Sequence, residues 1–164
     1  MKNYWFISDT HFYHGNIIDY CNRPFSSVEE MNETLVQNWN RVVKQGDIVY
    51  HLGDVTMRHD WAFNSLWARL KGRKRLIVGN HDDVKYLSSG SFFDKVMLWR
   101  IWNDKNIVFS HVPLHQSVLG ERKKRGPMIN IHGHTHQNGS PSGSYKSVCV
   151  ELTNYTPINL DELV

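Results

Sequence analysis

The chain has 164 residues, 40% of them hydrophobic, a formal net charge of +3 and two cysteines. That length suits one domain with a continuous core, burying about 70% of the unfolded chain's surface, and the mild positive charge suits an anionic partner without establishing nucleic-acid binding. Cys21 and Cys149 form neither a metal-type pair nor a disulfide framework, Met1-Lys2-Asn3-Tyr4-Trp5 has no signal-peptide core, and no apolar run approaches membrane-spanning length. The composition therefore argues against a disulfide-stapled secreted domain or a membrane protein, and a cytoplasmic location is expected.

From the N-terminus, the run 4–7 predicts a buried strand and is followed at once by Ser8-Asp9-Thr10-His11. Ser26 or Ser27 with Glu29 or Glu30 makes a capping box. The apolar residues Val28, Met31, Leu35, Trp39 and Val42 then recur at helical spacing, predicting a core-packed helix that ends before Gly46. The run 48–52 predicts a strand leading into Gly53-Asp54. A second helix should start near Asp60, bury Trp61, Leu66, Trp67 and Leu70, and stop at Gly72. The strand 76–78 runs into Gly79-Asn80-His81-Asp82. The alternating stretch 96–102, the turn Asn103-Asp104-Lys105-Asn106 and the run 107–109 read as a hairpin leading to His111. Beyond the consecutive cations Arg122, Lys123, Lys124 and Arg125, the strand 128–131 leads to Gly133-His134-Thr135-His136. Residues 137–144 read as a flexible Gly/Ser/Pro loop and 147–152 as a returning strand. No internal repeat interrupts this α/β pattern.

Five of these strands are thus followed by carboxylate, amide or imidazole. Groups just past the carboxyl ends of strands in an open sheet converge on one crevice, so ligands scattered along the chain can meet there. Carboxylate and amide oxygens mixed with imidazole nitrogens, without cysteine, suit first-row divalent ions. Asp9, His11, Asp54, Asn80, His111, His134 and His136 are too many for one ion, whereas two ions about 3.5–4 Å apart would use them all if one carboxylate bridged.

The order Asp-x-His, Gly-Asp, Gly-Asn-His-Asp, His and Gly-His-x-His, from Asp9 to His136, resembles the calcineurin-like metallophosphoesterases. The segment Ser8-Asp9-Thr10-His11-Phe12, with His14 and Asn16-Ile17-Ile18, is similar to small single-domain members from bacteria and their viruses. The resemblance implies an α/β fold of two packed mixed β-sheets flanked by α-helices, a four-layer sandwich, in one domain spanning 1–164. It places Asp9, His11 and His136 on one ion, Asn80, His111 and His134 on a second, and Asp54 between them. It makes His81 the general acid and Asn80 and Arg58 contacts to the substrate; Asp82 could orient the His81 ring as carboxylates do in acid–base dyads, and His14, one short turn past His11, is expected to contact the substrate. His51, His59, His115 and His132 keep structural roles, with His132 turned away from the metals. Manganese, iron, zinc, nickel or cobalt would fit this ligand set.

The activity implied is hydrolysis of a phosphate ester by a hydroxide held between two ions, with a phosphodiesterase expected. A phosphomonoesterase acting on small molecules or proteins, or a nuclease, is the enzymic alternative, and an interaction scaffold on the same fold is the non-enzymic one. A nucleotide or nucleic acid is a candidate substrate, and the run 122–125, lying between two ligand-bearing strands, reads either as a solvated surface loop or as a loop that overhangs the crevice and recruits it. No membrane partner is expected, and oligomeric state is left open.

Overall fold

The structure is a computed structural model and describes residues 3–120 and 126–164. Strands β1 (Tyr4–Ile7), β2 (Ile48–His51), β3 (Arg73–Ile77) and β4 (Lys95–Met97) pair in parallel. A short antiparallel strand, β9 (Ile158–Asn159), completes this first sheet in the order β4-β3-β2-β1-β9. The second sheet has the order β5-β6-β7-β8. In it β5 (Trp99–Trp102) runs antiparallel to β6 (Ile107–Ser110), while β6, β7 (Ile129–His132) and β8 (Tyr145–Ser147) are parallel.

Side-chain alternation along the strands builds the layers. On β1, Trp5 and Ile7 face the helices, packing with Met31, Leu35, Trp39, Phe63 and Trp67. Tyr4 and Phe6 face the other sheet, meeting Tyr50, Phe109 and Ile131. Phe6 lies 5.6 Å from the Tyr50 ring and 5.0 Å from Phe109, and Trp102 packs edge-on against Phe109 at 4.8 Å. Each such buried side chain contributes about 1.5–3 kcal/mol, so this aromatic seam is what fastens sheet to sheet. A third cluster, Val108, Leu119 and Met128, covers the outer face of the second sheet beneath α5 (Gln116–Leu119). Helix, sheet, sheet and helix make the expected four layers.

The long helix α2 (Val28–Val42) starts where predicted. Ser27 is its cap, accepting the Glu30 N–H at 3.1 Å, and the Glu30 carboxylate accepts the Ser26 N–H and hydroxyl at 2.7 and 2.6 Å. Asp60 caps α3 (Trp61–Ala68). Three expectations need correction. Trp61 is 74% exposed: as the first residue of α3 it faces away from the stripe Phe63, Leu66, Trp67 and Leu70, and Phe63 takes the buried place. The stretch 96–102 is not one strand: β4 belongs to the first sheet, β5 to the second, and Leu98 stands between them. Alternation marks extended chain but does not choose its neighbour. Finally, 147–152 is not a strand. Within 148–152 only Cys149 bridges, to Ser8, and the chain then turns through Asn154 and Tyr155, both left-handed, with the Tyr155 N–H on the Val150 carbonyl.

Candidate metal centre

Parallel pairing sets the carboxyl ends of β1, β2 and β3 side by side, and likewise those of β6 and β7. The loops leaving them are locked together by main-chain bonds, the N–H of Asp9 donating to Gly53, that of His11 to Asp54 and that of Gly133 to His111. Across the sheets, the His134 N–H donates to Asp9 Oδ2 at 2.9 Å, and within the first sheet the His81 N–H donates to Asp54 Oδ1 at 2.9 Å. Asp9, His11, Asp54, His134 and His136 all have left-handed backbone, with φ between 48° and 70°. A non-glycine residue there costs on the order of 1–3 kcal/mol and persists where surroundings impose it, most often at functional sites. Gly133 permits the closeness: a Cβ at that position would lie 2.5 Å from Asp9 Oδ2 and strike the Ser8 hydroxyl.

Two groups of ligand atoms result. Asp9, His11 and His136 form one, and Asp54, His111 and His134 the other, with the atoms of each within 4.8 Å of one another. Asp54 Oδ2 lies 3.5 Å from His11 Nε2 in the first group and 3.5 Å from His111 Nε2 in its own. Asn80 Oδ1 stands 2.9 Å from His111 Nε2 and 3.0 Å from His134 Nδ1. Thus all seven sequence-predicted residues converge.

The donor set fits divalent ions. Asp9 Oδ1 and His11 Nε2 are buried without a hydrogen-bond partner, a costly condition that coordination would relieve. Burial lifts the Asp9 carboxyl above its ordinary range and drives the His11 imidazole down to about 3, so His11 offers a neutral nitrogen. At His111 burial opposes charge, yet the Asp54 carboxylate, the Asp9 charge and the Leu52 carbonyl raise it to about 9. A proton there supplies positive charge that an ion would otherwise bring. The Leu52 carbonyl, 2.6 Å from His111 Nδ1, directs Nε2 toward the centre.

The other candidates divide. His81 is exposed beside the centre, its ring 5.6 Å from that of His11. His14 is half-buried, 3.5 Å from His11 through the two Nδ1 atoms. Asp82 does not orient His81. Its carboxylate accepts the N–H groups of Gly79, Asp54 and Val55 at 2.7, 3.1 and 2.8 Å and ties the β2 loop to the β3 loop. Arg58 is engaged by Asp60 at 2.7 Å and lies over the Tyr13 ring. His132 points away, to Gly133 O and the Ser140 hydroxyl. The run 122–125 lies outside the described residues. Its flank, Gly126-Pro127, is held by the Asn106 side chain at the start of β6, the end remote from His111.

Two residues of the neighbourhood escaped sequence reasoning. Glu151 accepts a hydrogen bond from His136 Nδ1 at 2.9 Å and pairs with the buried Arg23 at 2.7 Å. The available signals were a lone acid ending the apolar run Val148-Cys149-Val150 and a cation in Cys21-Asn22-Arg23-Pro24.

Fold and ligand groups together define a metal-dependent phosphoesterase. A sequence model of calcineurin-like phosphoesterases matches residues 2–138, and the chain belongs to that family. It is 40% identical to the uncharacterized protein MJ1445 of Methanocaldococcus jannaschii, with 100% of this chain and 90% of the relative covered. The Gene 66 protein of Mycobacterium phage L5 is 29% identical over 83% of this chain and 78% of its own length. Among solved structures, the Aquifex aeolicus protein of unknown function AQ665 shares 30% identity and a TM-score of 0.77, with 100% of both chains covered.

Proposed function

We propose that the chain holds two divalent ions and hydrolyses phosphodiesters. The observation that carries the two-ion reading is Asp54 Oδ2, equally near a nitrogen of each ligand group. Asp9, His11 and His136 would hold one ion, Asn80, His111 and His134 the other, with Asp54 between. Bound there, the ions would supply Lewis-acid stabilisation of phosphoryl charge and acidify water. The chain contributes the rest. The Asn80 amide, with its oxygen directed at His111 and His134, keeps its N–H groups for a phosphate oxygen. His81, exposed at the rim and fixed through its backbone to Asp54, donates a proton to the leaving oxygen. His14 borders the same crevice. Arg58 would have to leave Asp60 to reach a phosphate. The preference for diesters rests on the resemblance to small bacterial members of the family, and a nucleotide or nucleic-acid diester is the substrate class expected.

A screen of aryl diesters and monoesters, cyclic nucleotides, dinucleotides and short RNA and DNA, with added manganese, zinc, nickel or cobalt, tests this. Metal-dependent turnover of diesters above monoesters is expected, and the reverse preference overturns the diester assignment. His81→Ala should keep both ions yet lose about 10²–10⁴ in turnover, most for basic leaving groups and little for a nitrophenolate. An equal loss for both would place His81 in phosphate binding instead.

A further inference from the structure

We infer that Arg23 and Glu151 form a buried clasp that positions the ligands of one ion, Asp9, His11 and His136, and leaves the other ion's ligands untouched; this rests on the two-ion reading above. The contacts are one-sided. Glu151 Oε1 accepts from His136 Nδ1 at 2.9 Å and from Arg23 Nε and Nη2 at 3.0 and 2.7 Å. The same guanidinium donates to the main-chain carbonyls of Asp9 and Thr10 at 2.7 and 2.9 Å, on the turn where Asp9 and His11 are held left-handed. One cation therefore touches the backbone that presents two ligands and, through Glu151, the ring of the third. None of these bonds reaches Asp54, Asn80, His111 or His134.

The energetics favour a positional role over a stabilising one. The side chains of Arg23 and Glu151 are 0% and 4% exposed. Removing two charges from water costs several kcal/mol each, and well-packed apolar residues in place of such a pair are often neutral or better for stability. What apolar residues cannot do is fix an imidazole. An Nδ1–H donated to Glu151 leaves the Nε2 lone pair of His136 directed into the site, 3.7 Å from Asp9 Oδ1. Carboxylate partners of this kind set ring orientation and basicity, and their loss costs about 10–100-fold in metal affinity. His136 needs such a partner, since it is half-buried beyond the end of β7 in a single 3-10 turn. Cys21, His136 and Glu151 also come close enough to hold an ion of their own. The Glu151 carboxylate is already paired with the Arg23 cation and bonded to the His136 ring, so the trio acts as a support and not a third ion site.

Zinc and manganese titrations of wild type, of Arg23→Met/Glu151→Leu and of Glu151→Gln test the clasp. The double variant removes both charges together and leaves no unpaired one buried. In wild type two ions are expected; in the double variant one of them should bind about 10–100-fold more weakly while the other stays within about twofold. Glu151→Gln, which keeps a neutral acceptor, should fall between. Equal weakening of both ions, no weakening, or a third equivalent in wild type that disappears with Glu151 overturns the clasp. In zinc-loaded wild type the His136 Nδ1–H should appear in nuclear magnetic resonance spectra as an exchange-protected proton; its absence overturns the clasp even if the double variant does not fold. A wild type that binds fewer than two ions defeats the two-ion reading itself, a failure distinct from that of the clasp.

Discussion

At the scale of single residues, Asp54 is set apart by facing both ligand groups. Asp54→Ala should weaken both ions and abolish activity, whereas His11→Ala should weaken mainly one. Equilibrium titration of each variant measures this, and retention of two tightly bound ions in Asp54→Ala would contradict the assignment. His111 yields a prediction about protons. Without ions its imidazole is held up to about 9 by Asp54 and Asp9, above the ordinary 6.5. Between those values it carries a proton that an incoming ion must expel, and above the higher one it carries none. Near pH 8, therefore, ion binding should release the His111 proton, and that share of the release should fade as the solution is made more alkaline. Calorimetric titration in two buffers of different ionisation heat reads the number directly, and a heat independent of buffer near pH 8 would refute it. Asp82 shows how adjacency misleads: it follows His81 in sequence, yet its carboxylate is consumed by three main-chain N–H groups that hold two loops in place.

At the scale of elements, the five ligand-bearing strands were legible because each closes on a short apolar run that ends abruptly in polar groups, although β3 begins earlier than expected, in the cations Arg73, Lys74 and Arg75, and β9 gave no such signal. The helix 28–42 was legible from its cap and apolar stripe. Three things were not. The division at Leu98 depends on which sheet edge each half of an extended stretch meets, a tertiary choice that alternation does not encode. The clasp was hidden because Arg23 lies beyond a five-residue helix, α1 (Asn16–Tyr20), and Glu151 lies in a turn, neither with a periodicity to read. The inward or outward direction of Trp61 hung on the first residue of its helix. Gly133 gives the test at this scale, since it joins β7 to the loop bearing His134 and His136. Gly133→Ala would force a methyl against Ser8 and Asp9. A loss of about 1–3 kcal/mol in folding stability is expected from overpacking, together with weakened ion binding. Unfolding by denaturant and ion titration check both, and unchanged affinity would show that the loops yield without consequence.

At the scale of the molecule, each ligand group draws on both sheets. Asp9 and His11 follow β1 while His136 follows β7; Asp54 follows β2 while His111 and His134 follow β6 and β7. Ions bound there would join the sheets at one end as the aromatic seam joins them through the middle. Loading at a hundred times the dissociation constant should stabilise the fold by about 2.7 kcal/mol per ion, and a chelator should reverse it. Scanning calorimetry with and without ions reads the shift, and an unchanged melting temperature on saturation would mean that the folded chain binds the ions no better than the unfolded one. The single residue between β4 and β5 carries a further consequence. The chain crosses from the first sheet to the second at Leu98 and returns at β9, so the sheets are stitched at two places in sequence as well as pressed face to face. Neither can peel away without dragging the other, and four of the seven candidate ligands follow strands of the first sheet and three follow strands of the second. Separation of the two sheets and dispersal of the ligand groups thus become one event.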